Sequence, residues 1–178
     1  GKGIYVHAGP EISVCSTKAF TSQIAAIYLL SILLARSRDL SREKGIRLVE
    51  NLEALPSMVE QVLRNAGKVE EVAKKCKHFE RYLYMGRGLN YPVAMEGALK
   101  MKEVAYVFAE GYSSAEMKHG AIALVDKKTM SVFVCPDDGL KSKNLSNMQE
   151  VKARGGPIIA IASEGDTEVG KGADEVFT

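Results

Sequence analysis

Short apolar runs punctuate the chain from residue 78 onward. Residues 78–85 read as a strand ending in the apolar run Tyr82-Leu83-Tyr84-Met85, and residues 130–135 and 157–162 read as continuously apolar strands buried on both faces. Val176-Phe177 begins a further one. Helical spacing fills the gaps at residues 90–109 and 141–154, the latter expected as a surface helix stopped by Gly155-Gly156. Such alternation predicts an α/β fold, a three-layer parallel sheet flanked by helices. The first half reads differently. Residues 4–7 suit a short strand. Residues 18–36 are apolar nearly all round, as expected of a helix buried between layers. Leu48, Leu52, Leu55, Met58, Val59, Val62 and Leu63 recur at helical spacing over residues 41–65, with a kink or break expected at Pro56. A charged helix restarts after Gly67.

The stretch at 91–120 organises the rest. A strand, the turn Gly86-Arg87-Gly88 and a helix follow in order, which is how open α/β sheets set a ligand at the carboxyl end of a strand. Asn90 suits the helix N-cap, Pro92 its first turn, and Gly111 a stop after residue 109. Glu96, Lys100 and Glu103 share one side, with Glu110 drifting onto it. Ala94, Ala98, Leu99, Met101, Ala105 and Phe108 form the opposite, core-facing side. Spacing alone allows two readings of the charged side. One is a solvated face carrying two ion pairs of about 0.2–0.5 kcal/mol each. The other is a catalytic carboxylate beside a lysine, able to move a proton between adjacent sugar carbons while the lysine neutralises the anion that forms.

Composition narrows the class. The 178 residues are 46% hydrophobic and 26% charged, with a formal net charge of +2, as in an ordinary globular protein with no basic surface for nucleic acid. Cys15, Cys76 and Cys135 are widely spaced and fit reduced thiols in a cytoplasmic protein, not a disulfide frame or a zinc site. No metal or organic cofactor is expected. The longest apolar stretch, residues 24–35, is too short to cross a bilayer, so no membrane partner is expected, and no signal peptide opens the sequence.

Two loops carry further candidates. Ser16 and Thr17 stand before the first helix, where hydroxyls can cap it or bind a sugar or phosphate. The polar loop at 112–119 gathers Ser113, Ser114, Glu116, Lys118 and His119, a setting where a histidine can be structural or catalytic. His7 and His78 have no such setting and are left unassigned.

EGALKMKE at 96–103 and AEMKHG at 115–120 resemble the isomerase half of the glucosamine-6-phosphate synthases, a half built from two sugar-isomerase (SIS) domains of flavodoxin-like fold. HAGPEISVCSTKAFTSQ at 7–23, LPSMVEQVL at 55–63 and MGRGLNYPVAMEGALK at 85–100 resemble it too, in the same order. The resemblance implies residues 1–40 as the end of a first SIS domain, 41–66 as connecting helices and 67–178 as a second SIS domain, truncated at its C-terminal end. It makes Glu103 the proton shuttle between C1 and C2, with Lys100 and Glu96 lining the pocket. His119 assists ring opening from the partner subunit of a homodimer, and the loop Val14-Cys15-Ser16-Thr17 lies against the sugar. The implied ligands are fructose 6-phosphate and glucosamine 6-phosphate. Cys15 stands where alanine is common, and Ala121 where proline is.

The family's glutaminase domain, its serine/threonine-rich phosphate loop and its tail lysine have no counterpart among the 178 residues. The expectation is therefore an isomerase-domain fragment of a longer aminotransferase, inactive alone. Two alternatives stand beside it: a phosphosugar-binding SIS regulator, and a related phosphosugar isomerase or deglycase. Glu103 with His119 favours an enzyme, since a sensor needs phosphate contacts but no proton shuttle.

Overall fold

A computed structural model describes residues 3–178. The chain divides into two compact units, Gly1–Gly67 and Lys68–Thr178.

The first unit is helical. Residues 4–7 form no strand: His7 takes a left-handed φ of 48° and Gly9 one of 68°, which break an extended run. Helix α1 (Lys18–Arg36) has the expected bounds, but neither Ser16 nor Thr17 caps it. The Glu11 carboxylate does so instead, accepting from Thr17 N at 2.9 Å and Ala19 N at 3.3 Å. Nor is α1 buried in this chain. Only Ile32 is enclosed, while Ile24, Ile27, Leu30, Leu33 and Leu34 stay exposed. Helix α2 (Arg42–Arg64) packs on α1, and one neighbouring helix can cover only one stripe of an all-round apolar surface. With 19 residues, α1 is also long and apolar enough to cross a bilayer, because its ends extend the apolar run at 24–35. Ser41 caps α2 by accepting from Lys44 N. The expected break at Pro56 does not occur. The proline removes one hydrogen bond from a cooperative 23-residue helix, and the remaining bonds carry the helix through.

The second unit is the α/β domain. Helix α3 (Ala66–Cys76) leads into β1 (Arg81–Gly86), α4 (Asn90–Ala105), β2 (Phe108–Ser113), β3 (Thr129–Cys135), α5 (Lys141–Ala153), β4 (Ile158–Ala162), α6 (Thr167–Gly172) and β5 (Glu175–Phe177). All neighbouring strands are parallel, in the order β2-β1-β3-β4-β5. This is the predicted three-layer architecture. Strand alternation sends Tyr82, Met130, Val132 and Ile159 to one face, against Val72 and Cys76 of α3 and Ala98 of α4. Leu83, Met85, Phe133, Cys135 and Ile158 fill the other, against Met148 and Val151 of α5 and Val169 of α6. The strand order reverses between β1 and β3, where sheets of this kind open a crevice at their carboxyl ends.

One boundary differs with consequence. Helix α4 ends at Ala105, not near residue 109, because Tyr106 turns left-handed at φ 56°. Phe108–Ser113 then pairs along β1 from Arg81↔Phe108 to Gly86↔Ser113. Glu110 therefore leaves the helical charged face, and Phe108 belongs to the edge strand rather than to the core side of α4. The apolar residues Ala121–Leu124 form a 3-10 turn, and α6, capped by Asp166, had no clear signal in the sequence.

Candidate functional site

The site is built on α4, and two glycines let that helix lie close to the sheet. A Cβ on Gly97 would stand 2.9 Å from the Tyr84 ring, and one on Gly111 only 2.6 Å from Met95 Cα. Burial pushes the Tyr84 phenol up from its ordinary pKa, so a neutral ring supports the helix from below. On the outer side of α4, Lys100 Nζ stands 2.7 Å from Glu103 Oε2 and 3.3 Å from Glu96 Oε1. The three side chains are 22–25% exposed, which makes them half-buried rather than freely solvated. One ammonium shared by two carboxylates leaves one net negative charge in a partly dry setting. That arrangement holds a carboxylate in place beside a cation, as proton transfer next to a developing anion requires.

The loop after β2 supplies the other candidate. Ser114 is fully buried; its N–H reaches Gly86 O at 2.9 Å and its hydroxyl lies 2.6 Å from Asn144 Oδ1. Met117 is buried in the core beneath. A 3-10 turn, Met117–His119, then leaves His119 exposed, with Gly120 ending the turn.

In the first unit, Val14, Ser16 and Thr17 sit on the loop before α1. Val14 and Thr17 are exposed and Ser16 is half-buried. The backbone N–H of Thr17, then the Ser16 hydroxyl, hold the Glu11 carboxyl down at about 2. Ser16 thus serves Glu11 rather than the helix backbone. Sequence reading missed Glu11 because it lies six residues before the amide it caps; an acid shortly upstream of a helix start was the available signal.

Glu96, Lys100 and Glu103 are therefore brought together on one helix, with His119 on a separate turn of the same unit. Val14, Ser16 and Thr17 belong to the other unit. A second charged cluster, which sequence reading also missed, stands at the carboxyl ends of β3 and β4. There Lys141 Nζ lies 2.7 Å from Asp166, 3.1 Å from Glu168 and 3.4 Å from Asp137. These pairs are internally satisfied, and Asp166 also caps α6. Among the described residues no group of three or more His, Cys, Asp or Glu could hold a metal ion.

Residues 76–178 match the family described as the SIS domain. The chain is 47% identical over 175 residues to glutamine–fructose-6-phosphate aminotransferase [isomerizing] of Thermus thermophilus, covering 98% of this chain and 29% of that protein. It is 45% identical over 175 residues to the enzyme of the same name from Chlorobaculum tepidum, covering 98% and 28%. Among solved structures, the C-terminal domain of glucosamine-fructose-6-phosphate aminotransferase from Francisella tularensis superposes with a TM-score of 0.88 at 38% identity, over 95% of this chain and 48% of that one. The chain thus spans under a third of the length of these curated relatives.

Proposed function

The chain belongs to the SIS domain family, and we propose that it is the isomerase portion of a glutamine–fructose-6-phosphate aminotransferase. In this reading the parent enzyme converts fructose 6-phosphate and glutamine-derived ammonia to glucosamine 6-phosphate. The observation that carries it is the half-buried Glu96–Lys100–Glu103 cluster, in a chain that resembles enzymes of that name along 98% of its length. Ammonia adds at C2 of the open ketose and water leaves, giving an imine. The imine nitrogen takes up a proton from solvent, and Glu103 removes a proton from C1 as the electrons neutralise that nitrogen, forming the enolamine. Glu103 then returns its proton to C2 while the C1 hydroxyl releases its own to solvent, balancing the one taken up, and C1 becomes the aldehyde. Lys100 screens the negative charge of the carboxylates and any that develops on the substrate oxygen. His119 assists ring opening, from the partner subunit of a homodimer. Glu96 binds the substrate beside Glu103, and Val14, Ser16 and Thr17 are sugar-phosphate contacts of the first SIS domain.

Residues 1–40 belong, in this proposal, to a first SIS domain, 41–66 to connecting helices and 67–178 to a second. A glutaminase domain lies elsewhere in the parent chain, and these 178 residues alone do not turn over. The apolar surface of α1 is an interface within a cytoplasmic protein rather than a membrane span, since relatives matching 98% of the chain, this helix included, are named as an aminotransferase.

The test is Glu103→Gln in the full-length parent, which keeps the side-chain shape and removes the base. Isomerisation is expected to fall by about 10²–10⁴-fold, the ordinary worth of general acid–base catalysis, with sugar-phosphate affinity and melting temperature nearly unchanged. Turnover close to wild type would remove Glu103 as the shuttle, and joint loss of turnover and folding would return the cluster to an ion-pair role.

A further inference from the structure

Helix α5 has no part in the chemistry above, yet one of its stripes is polar and enclosed. Asn144 is fully buried, Asn147 nearly so, and the Glu150 side chain is 29% exposed. Such groups are costly to bury unless they hold something. Each reaches into a loop at the carboxyl edge of the sheet. Asn144 Oδ1 accepts from the Ser114 hydroxyl at 2.6 Å, fixing the start of the loop that carries His119. Asn147 Oδ1 accepts from Arg87 Nη1 at 3.0 Å, fixing the glycine turn that launches α4. Asn147 Nδ2 donates to Glu150 Oε2 at 3.4 Å, and Glu150 Oε1 receives Lys118 Nζ at 2.8 Å. An unbroken chain, Arg87–Asn147–Glu150–Lys118, therefore joins the turn before α4 to the residue next to His119.

We propose that Asn147 and Glu150 are positioning residues, holding the His119 turn in the place on its own subunit from which it reaches the site of the partner subunit. The inference rests on the reading of Glu103 and His119 given above. Energetics favour placement over stability as the role of the last link. Lys118 is 67% exposed, and an ion pair so open adds little to folding. Its geometric effect is larger, because His119 follows Lys118 directly on a 3-10 turn with Met117 anchored in the core. A turn pinned at Met117 and again at Lys118 has little freedom left, whereas releasing Lys118 lets the exposed histidine wander. Displacement of a catalytic group by about 1 Å is enough to cost up to about a hundredfold in rate.

The experiment uses the full-length parent enzyme with Glu150→Lys, Lys118→Glu and the charge-swapped double variant, beside Glu150→Gln. Steady-state formation of glucosamine 6-phosphate from fructose 6-phosphate is followed with melting temperature. Each single variant is expected to lose about tenfold in kcat with KM and melting temperature held, because placement rather than binding is impaired. The double variant, which restores the pair with its signs exchanged, is expected to regain most of that loss. Unchanged kcat in Glu150→Gln, loss that the swap fails to recover, or loss that tracks melting temperature would each overturn the proposal. Glu103→Gln in the same assay separates the two readings. Full turnover there refutes the shuttle itself, while an inactive Glu103→Gln beside a normal Glu150→Gln refutes only the positioning role.

Discussion

Gly111→Ala tests how closely the helix that carries the Glu96–Lys100–Glu103 cluster depends on the edge strand. The added Cβ would lie 2.6 Å from Met95 Cα and 2.9 Å from Met95 N, against about 3.5–4.0 Å for carbon atoms in comfortable contact. These are backbone atoms, so no side-chain rotation relieves the clash. Strand β2 and helix α4 must move apart by about 1 Å, the shortfall from contact distance. Overpacking of this kind costs about 1–3 kcal/mol, and in a domain of this size each kcal/mol lowers the melting temperature by roughly 4–8 °C. Met95 adjoins Glu96, so the same displacement moves the Glu96–Lys100–Glu103 cluster and is expected to lower turnover by about a hundredfold. Gly170→Ala is the control, since a Cβ there meets nothing within 4 Å. Differential scanning calorimetry and steady-state turnover of the parent enzyme give both readouts. Gly111→Ala with the melting temperature and turnover of wild type would show that α4 is not seated as described.

Glu11→Gln is expected to loosen the start of α1, read as faster hydrogen exchange at the Thr17 and Ala19 amides with little change beyond the first turn. The Glu11 carboxyl sits at about 2 in the fold against 4.5 ordinarily, so wild-type protection there persists above pH 4.5 and fades as the pH falls toward 2, a fade the variant lacks. Asp166 is likewise held below its ordinary 3.8, first by the Lys141 side chain. Its contribution to stability is present above that value and lost as the pH falls through the lower folded one, so Asp166→Asn is expected to lower the melting temperature near neutrality and to flatten its fall under acid.

What the sequence made legible was local in origin. Strands β3 and β4 were read within one residue of their observed starts because continuous apolar runs leave no alternative on either face. The Glu96, Lys100 and Glu103 spacing was legible because three- and four-residue offsets meet on any helix, and both expected ion pairs are present. Helix α1 shows the limit. Its bounds followed from its own residues, but its burial did not, since the covering of an apolar face is a property of neighbours. The same applies to Glu11, whose carboxylate reaches past the serine and threonine that local capping preference favours.

Residues 106–113 show what decided the less legible cases. Val107, Phe108 and Tyr112 suit a strand as well as an apolar helix face, and Glu110 continued the charged periodicity of α4. The choice was made by β1, whose open edge offers partners along its full length from Arg81 to Gly86, bonds that a longer α4 would have left unmade. Pairing there also draws Ser114 onto Gly86 O and so brings the His119 loop to the carboxyl edge. Asn144, Asn147 and Glu150 then find partners 30 to 60 residues away in sequence, at Ser114, Arg87 and Lys118. No periodicity within α5 marks those partners, which is why it read as a surface helix. Polar groups that are spaced along one helix face but buried carry information only once the loops they hold are known.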